Sequence, residues 1–141
     1  MGYQKYKKHR HVYLWDLGGT GQSSAATGTI PIFTAPDNCL IHAVSAQVLT
    51  AVTGSTAEEL GDGTDVDGYL VDNFAAATGY YPTSPNVATC GAFQFVPGTT
   101  DAADRAPEKK LYSSSDTIDF LITGTASAGK IRFFVDFELV A

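Results

Sequence analysis

Three aspartates separated by glycines make Gly61–Leu70 the stretch with the most obvious chemical potential. Asp62, Asp65 and Asp67 could gather around a hard cation such as calcium, which prefers carboxylate oxygens. Aspartate side chains also accept hydrogen bonds from nearby backbone, and Asp-Gly pairs favour tight chain reversals. The order departs from an EF-hand loop, because no glutamate follows at the required position. Both interpretations stay open, with a turn that serves the backbone favoured and no metal assigned.

No catalytic constellation is evident among the other reactive residues. His9 and His11 lie near the start of the chain, and His42 lies in an apolar stretch where a hydrogen-bonded histidine is the ordinary case. There is no Gly-x-Ser-x-Gly motif, and an acid/base pair would need an apolar pocket that an Asp/Gly turn does not offer. Cys39 and Cys90 match no zinc spacing, and reduced thiols are favoured over a disulfide. We expect no enzymatic activity and no cofactor.

Basic charge is concentrated at the N-terminus of this 141-residue chain, whereas all 15 acidic residues follow it. We expect a basic arm over residues 1–11 and one domain over residues 12–141. The arm is either a solvated terminus, a segment that docks on a neighbouring acidic surface, or a phosphate contact. The acidic body argues against direct nucleic-acid binding. The residues that would dock are Tyr3, Lys5, Tyr6, Lys7, Lys8 and Arg10.

Neither a membrane span nor a secretion signal is predicted. No apolar run reaches the roughly 18 residues that a transmembrane helix needs. The basic start is not followed by the apolar core of a signal peptide. We therefore expect synthesis in the cytoplasm and no membrane partner.

The elements that must position these residues are predicted to be strands. Only 17% of residues are charged, 14 are glycine, and strong helix formers are scarce. Alternating apolar residues predict strands over residues 11–17, 29–34 and 39–52, with Pro31 placing the second at an edge or a start. Another strand is expected to leave the Asp/Gly turn over residues 69–74.

The C-terminal third has the clearest alternation. Residues 116–123 and 130–140 each place large apolar side chains on one face, with a small-residue turn over 124–129 between them. This pattern predicts a hairpin. Phe134 falls on its outer face, which indicates contact with another sheet or subunit.

The region from residue 75 to 111 lacks clear periodicity, apart from a short alternation over 92–96. Loops of this length inside a compact domain are usually functional or interfacial. Tyr80, Tyr81 and Phe93 are therefore candidates, with Phe134, for a subunit interface.

Several motifs together resemble those of a known class. They are the run Ile30–Pro36, the Gly61–Leu70 turn, residues 116–120 and residues 128–135. Over roughly residues 28–139 the chain resembles capsid decoration (auxiliary or cement) proteins of tailed bacteriophages and related head or tail components. The arm and the 75–111 region have no counterpart in this resemblance.

The resemblance implies an all-β fold: a single jelly-roll-like antiparallel β-sandwich with an extended N-terminal arm and long loops. It also implies a non-enzymatic virion protein on the capsid surface, bound between major capsid protein subunits, with self-association as a homotrimer. Two alternatives remain: a tail or head–tail connector component, and a carbohydrate-binding β-sandwich module that uses loop aromatics such as Tyr80 and Tyr81.

Overall fold

The computed structural model describes residues 5–19, 25–82, 91–93 and 109–140. This part of the chain contains no helix, and so no helix that could cross a membrane. Its strands are β1 (Lys8–Asp16), β2 (Gly28–Ala35), β3 (Cys39–Gly61), β4 (Gly79–Tyr81), β5 (Lys110–Tyr112) and β6 (Asp116–Leu139).

Two long antiparallel strands, β3 and β6, form the centre of the sheet. They pair from Cys39 opposite Leu139 at one end to Gly61 opposite Asp119 at the other. The register shifts several times between Thr50 and Ala57, and such irregularities bend a strand and increase its local twist. Because both strands bend in the same region, the sheet curls and its two halves pack against each other.

Shorter strands extend the sheet on both sides. β1 pairs with the C-terminal half of β6, and β2 pairs with its N-terminal half. On the free edge of β3, β5 pairs near its start and β4 near its middle. Pro31 lies at a register shift of β2, a kind of position where sheets tolerate proline.

Aromatic side chains fill the space between the two halves. The rings of Phe120 and Phe133, from opposite halves of β6, have centroids 5.0 Å apart, and Trp15 meets Phe120 edge-on at 5.3 Å. All three side chains are fully buried. The predicted all-β, jelly-roll-like antiparallel sandwich is confirmed, with layers formed by halves of the same long strands.

The predicted C-terminal hairpin is wrong. Residues 116–139 form one continuous strand, and each half of it pairs with β3 instead of with the other half. A small-residue stretch between two alternating runs is equally compatible with a hairpin and with a bent strand. The correct partner was missed because β3 was expected to end at residue 52, whereas it continues to Gly61.

Two further boundaries differ from expectation. Residues 69–74 form turns with a single bridge between Leu60 and Leu70, so the predicted strand there is wrong. β1 begins at Lys8, so part of the expected arm is paired with β6; the division into arm and domain at residue 11 stays a prediction. In the predicted strand 92–96, residues 92–93 form a turn and 94–96 lie outside the described residues.

Candidate functional site

The Asp/Gly turn is organised by Asp62, whose side chain is buried. One carboxylate oxygen accepts hydrogen bonds from the backbone N–H groups of Thr64 at 2.8 Å and Asp65 at 3.0 Å. The Asp62 N–H in turn donates to the Asp65 carbonyl at 2.9 Å. Asp62 therefore serves the backbone of the turn, as the favoured interpretation predicted.

The second oxygen of Asp62 ties the turn to β5. It accepts hydrogen bonds from Lys110 Nζ at 2.5 Å and from the Tyr112 hydroxyl at 2.7 Å. The Tyr112 hydroxyl also lies 3.0 Å from that of Tyr69. Burial alone would raise the pKa of Asp62, but the hydrogen bonds from Lys110, Tyr112, Thr64 and Asp65 outweigh it and leave the pKa below its ordinary value.

The second oxygen of Asp62 is thus paired with an ammonium group and a hydroxyl. Asp67 lies apart from this pair: a hydrogen bond with the neighbouring Asp65, followed by burial, raises its pKa. Across the described ranges, no group of three or more His, Cys, Asp or Glu side chains could hold a metal ion. The turn is built around an ion pair between Asp62 and Lys110.

Sequence reasoning missed Lys110 and Tyr112, which complete this network. Lys110 also lies over the ring of Phe93, 3.5 Å from its centroid, and Phe93 meets Tyr69 edge-on at 5.1 Å. No local sequence pattern marked Lys110 or Tyr112, because the region up to residue 111 lacks periodicity there.

A pocket of about 110 Å³ lies between the turn and the exposed side of the β2–β6 pair. Asp119 and Leu121 alternate with core residues of β6, so they face away from the core. The pocket is lined by Thr29, Gly61, Asp62, Gly63, Val66, Asp119 and Leu121. Asp119 Oδ1 is buried and has no hydrogen-bond partner among the residues that the structure describes. Burial is the main cause that raises the pKa of Asp119, with Asp116 and Asp62 adding repulsion and a hydrogen bond from Thr117 opposing it.

The structure divides the predicted docking residues into two groups. Arg10 is held by the body, because its guanidinium donates to both Asp136 oxygens at 2.7 and 3.0 Å and lies over the Phe134 ring at 5.2 Å. Lys5, Tyr6, Lys7 and Lys8 have exposed side chains beside the end of β6, and the Tyr6 N–H donates to the Leu139 carbonyl. Tyr3 lies outside the described residues.

Two of the four predicted interface residues share one outer face. Phe134 pairs with Val12 of β1, and Tyr80 pairs with Gln47 of β3 in the adjacent cross-strand row. Val12 is 45% exposed and Tyr80 is 63% exposed. We call this surface, formed by Val12, Leu14, Gln47, Tyr80, Arg132 and Phe134, the outer face.

The other two interface candidates lie elsewhere. Tyr81 packs against the core and donates its hydroxyl hydrogen to the Ala77 carbonyl at 3.1 Å. Phe93 is also partly buried and covers Lys110 and Tyr69. Their assignment to an interface stays a prediction, although their observed contacts are within the chain.

The histidines and Cys39 have ordinary structural environments. His42 lies 2.9 Å from Glu138, His11 lies 3.0 Å from the Ile32 carbonyl, and His9 stacks on Phe137. Cys39 is buried and has no disulfide partner among the described residues, which do not include Cys90, and burial raises its pKa to about 11. A thiol with a raised pKa is a poor nucleophile at neutral pH.

Comparison with known proteins finds likeness in fold. No protein-family model and no curated protein sequence matches the chain. A chain in the acid-stable capsid structure of Helicobacter pylori bacteriophage KHP30 aligns with a TM-score of 0.56 and 12% identity, covering 98% of this chain and 92% of that one. A chain in the capsid asymmetric unit of cyanophage Pam1 aligns with a TM-score of 0.50 and 14% identity, covering 99% and 91%. The chain therefore shares its fold, over almost its whole length, with chains of two phage capsids.

Proposed function

We propose that this chain is a structural protein of a tailed-bacteriophage virion that decorates and stabilises the capsid. It would be made in the host cytoplasm and bind on the capsid surface between major capsid protein subunits, as a homotrimer. The observation that carries this proposal is the likeness in fold, at nearly full length, to chains of two phage capsids. The resemblance of the Ile30–Pro36 and Gly61–Leu70 motifs to decoration proteins points the same way. No catalysis enters the proposal.

The outer face supports a binding role. It places exposed Val12, Tyr80 and the half-buried Phe134 ring on a layer whose opposite side is the core. Aromatic residues and arginine are enriched at protein interfaces, and Arg10 lies over Phe134 at the margin of this surface. We assign contact with neighbouring subunits to the outer face.

Stabilisation would follow from mass action. A protein that bridges adjacent capsid subunits binds the assembled shell and has no equivalent site on separated subunits. Its binding free energy therefore favours the assembled state, by about 2.7 kcal/mol per site when its free concentration is a hundred times the dissociation constant. The arm lysines would add an electrostatic component that weakens with salt.

The test is to add purified chain to phage shells that lack it. We expect saturable binding at a fixed copy number per capsomer and a higher temperature of shell disruption. Tyr80→Ala should weaken binding to the shell. Thr53→Ala, which changes an exposed residue that is not part of the outer face, should leave binding unchanged. Failure to bind shells, together with binding to purified tails or connectors, would reject decoration in favour of the tail alternative.

A further inference from the structure

The pocket at Asp119 has the chemistry of a receptor for a lysine side chain. Its buried Oδ1 atom has no partner in the described part of the chain, and an unpaired buried carboxylate oxygen is costly. Val66 and Leu121 give the pocket apolar walls, against which lysine methylenes could pack. Its volume of about 110 Å³ is several times what one water molecule needs.

The surrounding charge selects a cation. Asp116 and Asp62 both act electrostatically on Asp119, and Glu59 pairs with Leu121 in the same cross-strand row. The ammonium of Lys110 is already bound to Asp62 and lies over Phe93. An anion would be repelled here, whereas an incoming ammonium would relieve the repulsion.

The chain itself carries suitable lysines that its own fold leaves exposed. Arg10, Lys110 and Lys130 each face a carboxylate. Lys5, Lys7 and Lys8 have no ion pair in the described part of the chain, and Tyr6 between them is 70% exposed. None of the three lines the pocket of its own molecule. The backbone pairing of Lys5 and Lys8 with the end of β6 holds them outside it.

We propose that the Asp119 pocket of one copy receives a lysine from the N-terminal arm of a second copy, Lys5, Lys7 or Lys8. The ammonium lies against the Asp119 carboxylate with the Thr29 side chain beside it, and the lysine stem lies along Leu121 and Val66. This contact joins copies of the chain to one another. It deepens the homotrimer of the proposed function by naming one contact between copies, and it rests on that self-association.

The experiment measures self-association of the full-length chain by sedimentation equilibrium at low and high salt. Asp119→Asn keeps the size of the side chain, removes its charge, and should weaken association roughly ten-fold or more. Asp72→Asn removes the same charge from an exposed residue outside the pocket and should have no such effect. Thermal melting shows that each variant is folded, and Asp119→Asn should melt at or above the wild-type temperature.

A double-mutant cycle then identifies the lysine. Single changes Lys5→Met, Lys7→Met and Lys8→Met keep the apolar stem, with Lys109→Met as the control for an exposed lysine outside the arm. We expect one arm variant to reproduce the loss and to cause no further loss in the Asp119→Asn background. Wild-type-like association of Asp119→Asn, a monomeric wild type at the highest concentration, or independent effects of all three arm lysines would each overturn the proposal.

Because this experiment uses the purified chain alone, its result is separate from the shell-binding result. Copies could bind a shell without the arm contact, and the arm contact could form in a chain that binds no shell. A monomeric chain would contradict both the arm contact and the proposed homotrimer, whereas a trimer that Asp119→Asn does not weaken would contradict the arm contact alone.

Discussion

Asp62 in the Asp/Gly turn and Asp119 beside it have pKa values that are shifted in opposite directions. Asp62 is buried but fully partnered by Lys110, Tyr112 and two backbone N–H groups, so its charge is favoured in the folded chain. Asp119 is partly buried and has one oxygen without a partner among the described residues, so its charge is disfavoured. Asp62 therefore stabilises the fold, whereas the charge of Asp119 opposes it.

Replacing Asp62 with Asn should destabilise the fold by about 2 kcal/mol at neutral pH. The change leaves the Lys110 ammonium and the Tyr112 hydroxyl without an anionic acceptor. Because the folded-state pKa of Asp62 is lowered, its contribution is present above the ordinary aspartate pKa and is lost as the pH falls through the folded value. Urea unfolding from neutral to acidic pH should therefore show the two proteins converging in stability.

The control is Asp65→Asn in the same turn. Asp65 serves the turn through its backbone N–H and carbonyl groups, and its carboxylate raises the pKa of Asp67. Its replacement should leave stability unchanged or slightly higher. Equal losses in both variants would show that the turn is sensitive to any substitution and that the Lys110 ion pair is unimportant.

At the scale of elements, the bend of the two long strands determines the architecture. Gly124 and Gly129 lie within β6 with positive φ angles of 79° and 157°, and Gly54 in β3 has a φ of 89°. Most non-glycine residues avoid this region. Gly129 also lies against the indole of Trp15, so the bend and the core depend on the same position.

Replacing Gly129 with Ala should destabilise the protein by roughly 1–3 kcal/mol. An added Cβ would lie 2.5 Å from Trp15 Cζ3 and 3.0 Å from Val52 Cγ2, both inside the core. Gly63→Ala is the matched control, since an added Cβ there meets no described atom within 4 Å. Chemical denaturation measures both variants, and a Gly129→Ala protein as stable as the control would contradict this description of the bend.

The sequence predicted the class of fold but not the path of its strands. Alternation such as Ile118, Phe120 and Ile122 specifies a strand with a buried face, yet it carries no information about which strand is the partner. The role of Asp62 in the turn was predicted, because an aspartate acts on backbone close to it in sequence. Lys110, 48 residues away, could be placed beside it only by the pairing of β5 with β3.

At the scale of the whole molecule, the exposed apolar side chains lie on a different surface from the acidic pocket and the basic arm. The outer face carries Val12, Tyr80 and Phe134 on one layer of the sandwich. The Asp119 pocket lies on the exposed side of the β2–β6 pair, and the arm lysines lie beside the end of β6. Such a molecule can contact more than one neighbour at the same time, which suits a component of a shell.

Deletion of residues 1–7 should separate folding from assembly. In the described part of the arm, the Lys5–Leu139 bridge and the Tyr6 hydrogen bond are the backbone contacts that precede β1. The melting temperature should therefore fall by only a few degrees. The number of copies bound per shell should fall strongly, because the deletion removes the proposed docking residues Lys5, Tyr6 and Lys7.

A longer deletion of residues 1–10 provides the comparison. It also removes Lys8, His9 and Arg10 from β1, together with the Arg10–Asp136 ion pair. It should therefore lower stability more than the shorter deletion. Unchanged shell binding after removal of residues 1–7 would exclude a docking role for that part of the arm.

The pairing of Lys8 with Glu138 has a mechanical consequence. Because β1 and β6 are antiparallel, the start of β1 and the end of β6 lie side by side. Opposed pulling forces on these two ends would act perpendicular to the two strands. They would break the hydrogen bonds between β1 and β6 one pair at a time. Load applied along the length of β6 would instead strain many hydrogen bonds together. The chain should therefore resist a force along β6 better than a force that pulls the start of β1 away from the end of β6.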